Sequence, residues 1–95
     1  MITITQTDGE ITIKGHANYA ERGKDIVCAA VSALTQTFIE SVEQLTDDNL
    51  KCVISAGNVV IRYTDLSKQG QLLRRSFFIG LEMIADSYPQ NVEIV

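Results

Sequence analysis

The chain contains one histidine, His16, and two cysteines, and these are its side chains best suited to nucleophilic chemistry. Cys28 follows His16 by twelve positions, and Gly15 and Gly23 lie near the two ends of the intervening segment. A cysteine thiolate attacks carbonyl carbon, and a nearby imidazole takes up the thiol proton and later returns it to the leaving group. His16 and Cys28 are therefore a candidate catalytic pair.

The residues before His16 have the alternating pattern of a β-hairpin. Isoleucine and threonine alternate from position 2 to 5 and again from 11 to 13, with Asp8-Gly9 between them. Asp-Gly is typical of a two-residue hairpin turn. The pattern predicts antiparallel strands at about 2–7 and 10–16, with His16 at the end of the second strand.

The residues after His16 predict a loop and then a helix that begins close to Cys28. Residues 17–24 follow neither periodicity, and a loop of this length often closes over a ligand. Asp25 is a typical N-cap, which puts Cys28 in the first helical turn, where unpaired amides and the helix dipole favour a thiolate. The helix extends to about Thr46 on one apolar stripe: Val27, Val31, Leu34, Phe38, Val42 and Leu45.

The second half of the chain repeats the two-strand and helix pattern. Residues 50–56 alternate as a third strand with Leu50, Cys52 and Ile54 on one face, and Gly57-Asn58 allows a turn into a fourth strand at 59–64. Asp65 or Ser67 caps a second helix, which Pro89 ends, and residues 92–95 form a last strand. The stripe of this helix is Leu73, Phe77, Leu81, Ile84 and Tyr88, with Phe78 and Ile79 outside it.

The predicted order is therefore ββαββαβ in one domain over residues 1–95. Two hairpins indicate an α+β fold with a mainly antiparallel sheet covered by two helices. Phe78 and Ile79 would pack on the sheet or form a homodimer seam.

Composition excludes several classes of function. A hydrophobic share of 45% and a charged share of 21% are ordinary for a globular domain. The net charge of −4 gives no basic surface for direct nucleic-acid binding. We expect no signal peptide, no membrane-spanning run, two free thiols in a reducing cytoplasm, and no metal or other cofactor, since the chain has one histidine and no C-x-x-C pair.

Ordinary structural roles compete with these assignments. Cys28 could be a small packed hydrophobe and His16 a solvated side chain, and the residues alone leave both open. Cys52 is mid-strand and is interpreted as a core residue. Arg74-Arg75 is interpreted as a solvated face.

Four further residues have candidate roles around the pair. Asp25 could orient the imidazole of His16, as the third member of a triad does, but helix capping already explains it. Ser32 is interpreted as a helix hydroxyl bonded to a carbonyl one turn earlier. Tyr19 and Arg22 could contact a substrate from the loop.

The run around the candidate pair resembles the signature of a known family. Gly15-His16-Ala17, Tyr19-Ala20, Gly23 and the stretch from Asp25 to Ser32 are similar to the motif of the ribosomal-processing cysteine protease family Prp. The length, the strand-rich start and the ending Gly80-Leu81, Ile84-Ala85, Tyr88-Pro89 and Val92 are also similar to that family.

The resemblance implies a cytosolic cysteine endopeptidase of Firmicutes and related bacteria, without a cofactor. Such enzymes remove the N-terminal extension of one large-subunit ribosomal protein, number twenty-seven, cutting a hydrophobic leader after an aromatic and before a small residue. It further implies homodimers, Cys28 as nucleophile and His16 as general base and acid. Substrate-binding or supporting positions would be Gly15, Ala17, Tyr19, Gly23, Asp25 and Ser32.

Two mechanistic expectations and two alternative functions follow. The backbone amide of Cys28 would contribute to an oxyanion hole, and loop 17–24 would fold over the leader when substrate binds. An acidic enzyme also suits a basic substrate. The alternatives are a non-catalytic module that binds a ribosomal protein or assembly intermediate, and a thiol enzyme that acts on a small acyl substrate.

Overall fold

A computed structural model describes all 95 residues and has the predicted order of elements. The elements are β1 Ile2–Thr7, β2 Glu10–Lys14, α1 Ile26–Leu45, β3 Lys51–Ser55, β4 Asn58–Arg62, α2 Lys68–Ser87 and β5 Val92–Ile94. The α+β prediction is confirmed.

One five-stranded mixed sheet has the order β3-β4-β2-β1-β5. All neighbouring pairs are antiparallel except β1 and β5, which are parallel. In this register Ile4 faces Ile13 and Ile11 faces Ile61. The isoleucines of successive strands therefore form rows on one face of the sheet, as period-2 alternation requires.

Both helices pack over this isoleucine face and complete the core. Phe38 of α1 and Phe77 of α2 stack with ring centroids 4.9 Å apart. The opposite face carries polar cross-strand pairs, including a hydrogen bond between Thr5 and Thr12 and an ion pair of 2.9 Å between Arg62 Nε and Glu10 Oε2. The domain thus has two layers, and one sheet face remains uncovered.

Several predicted boundaries and core positions need correction. Strand β2 ends at Lys14 rather than at 16, because Gly15 adopts a φ of 97° that leaves the extended region. Strand β3 is one residue shorter at each end than predicted, and β4 begins one residue earlier and ends two residues earlier than predicted. Leu45 is 69% exposed because α1 ends there, and Thr35 occupies the buried stripe instead.

The interior predicted for β3 is only partly formed. Ile54 is 64% exposed and Cys52 is half-buried, although Cys52 still packs against the core. Strand β3 is an edge strand, so its inner face extends beyond the area that the helices cover. The neighbouring inner residue of β4, Val59, is likewise only half-buried.

Helix α1 corrects one expectation about apolar segments. By length and composition alone this 20-residue helix could cross a membrane. In this fold, however, its apolar stripe from Val27 to Val42 lies in the hydrophobic core. One face of α1 therefore packs within this domain.

Candidate active site

A cavity of about 770 Å³ lies between the N-terminal half of α1, the segment from Gly15 to Asp25 and the β3–β4 hairpin. His16 and Cys28 both line it. The fold therefore brings the two candidate catalytic side chains to one concave surface, where a ligand would be partly shielded from water.

Asp25 is the N-cap of α1, as predicted, and Cys28 is the third residue of the helix. The Oδ1 atom of Asp25 accepts hydrogen bonds of 3.0 Å from the amides of Val27 and Cys28. The thiol of Cys28 is half-buried at this helix N-terminus. The sulfur of Cys28 therefore lies at the positive end of the helix dipole, which stabilises negative charge placed there.

A second polar group lies beside the sulfur of Cys28. The backbone amide of Ala17 donates a hydrogen bond to Sγ at 3.3 Å, and Ala17 itself is buried. The Ala17 carbonyl in turn accepts from Nδ2 of Asn91 at 2.9 Å. The start of the loop is thus fixed between the C-terminal segment and the thiol, with a donor directed at the sulfur.

The expected oxyanion contribution of the Cys28 amide is wrong for this arrangement. That N–H already donates to Oδ1 of Asp25. A backbone amide has a single N–H, so the hydrogen bond to the N-cap residue leaves the Cys28 N–H unavailable to an oxyanion.

The carboxylate of Asp25 also holds the loop. Its Oδ2 atom accepts from the amides of Tyr19 at 3.0 Å and Ala20 at 3.3 Å. Asn18 turns the chain toward it with a φ of 55°, a conformation that asparagine tolerates. Hydrogen bonds from the amides of Cys28, and secondarily of Ala20, Tyr19 and Val27, hold the pKa of Asp25 below its usual value despite a partial desolvation that raises it.

His16 lies two residues beyond β2 and is exposed. Its ring packs on Gly57 in the β3–β4 turn, and no hydrogen bond joins it to Cys28 or to Asp25. Asp25 therefore acts as cap and loop anchor rather than as an orienting group for the imidazole. The backbone next to His16 is fixed, because the Gly15 amide donates to the Gly57 carbonyl at 2.9 Å.

The other predicted site residues divide into two groups. Gly15, Arg22, Gly23, Asp25 and Ser32 line the cavity. Ala17 and Tyr19 do not line it. Ala17 is buried and its amide donates to the sulfur, and the Tyr19 ring packs edge-on against Tyr88, with centroids 5.3 Å apart.

Two side-chain roles differ from expectation. The back-bonded hydroxyls near the middle of α1 belong to Thr35 and Thr37, whereas Ser32 is exposed on the cavity side. Arg74 is not simply solvated, since its Nη1 donates to the Tyr63 hydroxyl at 3.0 Å and its guanidinium lies 5.7 Å from the centre of that ring.

Sequence reasoning missed Gly57 and Asn91 as parts of this site, and it named Ala17 as a supporting position without its hydrogen bond to the sulfur. The Asn91–Ala17 contact spans 74 positions, so no local pattern indicates it. Gly57 was predicted only as a turn residue. No three His, Cys, Asp or Glu side chains lie close enough together to hold a metal ion.

Residues 1–93 match the family described as cysteine protease Prp. The chain belongs to this family. A Prp from Mycoplasma genitalium, named as a ribosomal processing cysteine protease, is 31% identical over 99% of this chain and 94% of its own length. The family assignment makes the chain a cysteine protease.

Crystal structures of Prp from S. aureus agree with this assignment. One, of an essential ribosomal processing protease with a covalently linked product peptide, has a TM-score of 0.92 at 29% identity and covers 99% of this chain and 97% of its own. Another, with a substrate peptide, has a TM-score of 0.83 at 26% identity, covering 99% and 95%. The similarity extends over the whole domain, including the strands, loop and helix that carry the cavity.

Proposed function

We propose that this protein is a cytoplasmic endopeptidase that removes the N-terminal extension of large-subunit ribosomal protein number twenty-seven. The observation that carries the proposal is one cavity lined by His16 and by a Cys28 thiol at a helix N-terminus, with the Ala17 amide directed at the sulfur. Relatives named for ribosomal processing, one with a substrate peptide and one with a covalently linked product peptide, support this substrate class.

In the proposed mechanism His16 takes the proton of the Cys28 thiol, and the sulfur forms a bond to the scissile carbonyl carbon. When the tetrahedral intermediate collapses, the C–N bond breaks and the imidazolium of His16 gives its proton to the leaving amine. His16 then takes a proton from water, whose oxygen forms a bond to the thioester carbon. The C–S bond breaks, the acid product leaves, and His16 returns the proton to the sulfur of Cys28. The helix N-terminus and the Ala17 amide are placed to stabilise the negative charge that the sulfur carries when it attacks.

Substrate-dependent closure is proposed for one half of loop 17–24. Ala17 to Ala20 is already tied down by Asn91, Asp25 and Tyr88. Residues 21–24 are exposed and held by local contacts, the Glu21–Lys24 ion pair among them. We expect hydrogen exchange to be slow at the Tyr19 and Ala20 amides and fast at 22–23 until substrate binds. Equal, deep protection of both halves without substrate would contradict the closure.

The net charge of −4 suits a basic substrate protein and gives no support for direct nucleic-acid binding.

We also propose a homodimer, since Ile79 and Met83, one turn apart on α2, are 57% and 66% exposed. Phe78 does not belong to this seam, because it packs against the core. Sedimentation that shows only monomer at micromolar concentration would refute the dimer.

Intact-mass analysis of the leader-bearing ribosomal protein tests the proposed reaction. Wild type should make a single cut within the leader, Cys28→Ala should make none, and the matched variant Cys52→Ala should cut at the wild-type position. Cleavage by Cys28→Ala would refute the nucleophile. A wild type that leaves the leader intact would refute this substrate.

A further inference from the structure

Two hairpins of this protein have the same kind of turn at opposite ends of the sheet. Asp8-Gly9 joins β1 to β2 and Ala56-Gly57 joins β3 to β4, and both glycines have positive φ values, 83° and 70°. The register places the first turn beside Arg62 and the second beside Lys14. Both glycines are thus explained as turn residues, and Gly57 has a further contact.

A Cβ atom added at either glycine would come within 2.7 Å of another group, but the groups differ. At Gly9 the group is the backbone carbonyl oxygen of Tyr63. At Gly57 it is Nε2 of His16, with Cε1 at 3.2 Å and Cδ2 at 3.4 Å. Three ring atoms therefore lie over the position that a side chain at 57 would occupy.

We propose that Gly57 is a positioning residue for His16. The imidazole packs against the backbone of the β3–β4 turn at Gly57, and the Gly57 carbonyl fixes the residue before His16 by accepting from the Gly15 amide at 2.9 Å. His16 is exposed and without a hydrogen-bond partner, so this surface limits where its ring can lie. The catalytic consequence rests on the proposed function, whereas the contact itself does not.

The two turns should respond in opposite ways to an added methyl group. In Gly57→Ala the group that must move is the free end of the His16 side chain, so the ring is displaced while the backbone stays in place. In Gly9→Ala the group is a backbone carbonyl that cannot swing away, and neither Gly9 nor Tyr63 lines the cavity. Gly9→Ala should therefore lose at least as much stability as Gly57→Ala while its site remains intact.

Nuclear magnetic resonance tests the contact without any substrate. His16 is the only histidine, so its ring signals need no further assignment. We expect an Overhauser effect between the ring Hε1 proton and the Gly57 Hα protons in wild type and in Gly9→Ala, and a shifted ring signal in Gly57→Ala. Absence of the effect in wild type, or an unchanged ring signal in Gly57→Ala, would overturn the proposal.

Cleavage kinetics on the leader-bearing ribosomal protein test the consequence. Gly57→Ala should lower kcat by roughly 10- to 100-fold with KM changed by no more than about 3-fold, because a small displacement of a catalytic group costs that much. Gly9→Ala should keep kcat within about 2-fold of wild type, a spread far below a positioning effect. Equal kcat values for the two alanine variants would overturn the proposal.

Gly57→Asn separates backbone strain from displacement of the ring. Asparagine tolerates positive φ but carries a Cβ atom, so thermal stability should be closer to wild type than in Gly57→Ala while kcat stays low. Recovery of kcat in Gly57→Asn would show that strain alone matters and would overturn the positioning role. If wild type itself cleaves nothing, the proposed function fails, and the nuclear magnetic resonance result alone decides the Gly57 contact.

Discussion

The two cysteines of this protein are both half-buried, yet their surroundings are opposite in character. Cys28 lies at a helix N-terminus and accepts a hydrogen bond from the Ala17 amide. Cys52 lies on edge strand β3, where burial and, secondarily, the charge of Glu43 raise the pKa of its thiol. The difference teaches that the groups around the sulfur separate a candidate nucleophile from a structural thiol: a helix N-terminus and a donor amide at Cys28, and desolvation with a nearby carboxylate at Cys52.

The largest expected effect is on turnover. Cys28→Ser should lower the rate of leader cleavage by at least ~10³-fold, since removal of a covalent nucleophile costs this much or more. Cys52→Ser makes the same chemical change on the edge strand and should leave the rate within about 2-fold of wild type. Initial rates at saturating substrate measure both, and equal losses in the two variants would eliminate the distinction between the cysteines.

The second effect is a difference in thiol reactivity. In the folded protein, iodoacetamide should modify Cys28 faster than Cys52, because desolvation and Glu43 keep Cys52 protonated. Modification of Cys52 should continue to rise at pH values above the pKa of an ordinary cysteine. Peptide mass mapping over time measures both sites in one sample. Faster modification of Cys52 at neutral pH would reverse the comparison.

The third effect concerns the carboxylate that builds the surroundings of Cys28. The pKa of Asp25 is lowered in the folded state, so its charged form stabilises the fold above the unfolded pKa and this contribution is lost as pH falls through the folded value. Asp25→Asn keeps one acceptor oxygen but cannot accept from all four amides. The free energy of unfolding of Asp25→Asn should therefore be lower than that of wild type at neutral pH, and this difference should disappear in strong acid.

Urea unfolding of wild type and Asp25→Asn at pH 7 and near pH 2 measures this difference. Asp65→Asn is the matched control, because Asp65 is exposed and caps neither helix. Its stability should track that of wild type at both pH values. A deficit of Asp25→Asn that is unchanged in acid would show that the charge of Asp25 is not what matters.

The contrast between the cysteines was partly readable from sequence, because its main causes are local. Asp25 precedes Cys28 by three residues, so a capping rule places the thiol in the first turn. The Ala17 amide and Gly57 act through contacts set by loop and sheet geometry, which composition and periodicity do not encode. Ile54 was misplaced for a related reason: alternation gives its face but not how far the helices cover that face.

The smallest expected effect is on stability at the structural cysteine. Cys52→Ala removes one half-buried sulfur that packs against the core at the sheet edge, so the free energy of unfolding should fall by less than about 1 kcal/mol. Denaturant titration at neutral pH measures the change. A loss of several kcal/mol would mean that Cys52 carries more of the core than its position on edge strand β3 suggests. A small loss with full activity would leave Cys28 as the thiol whose surroundings serve chemistry, and Cys52 as one whose surroundings serve only packing.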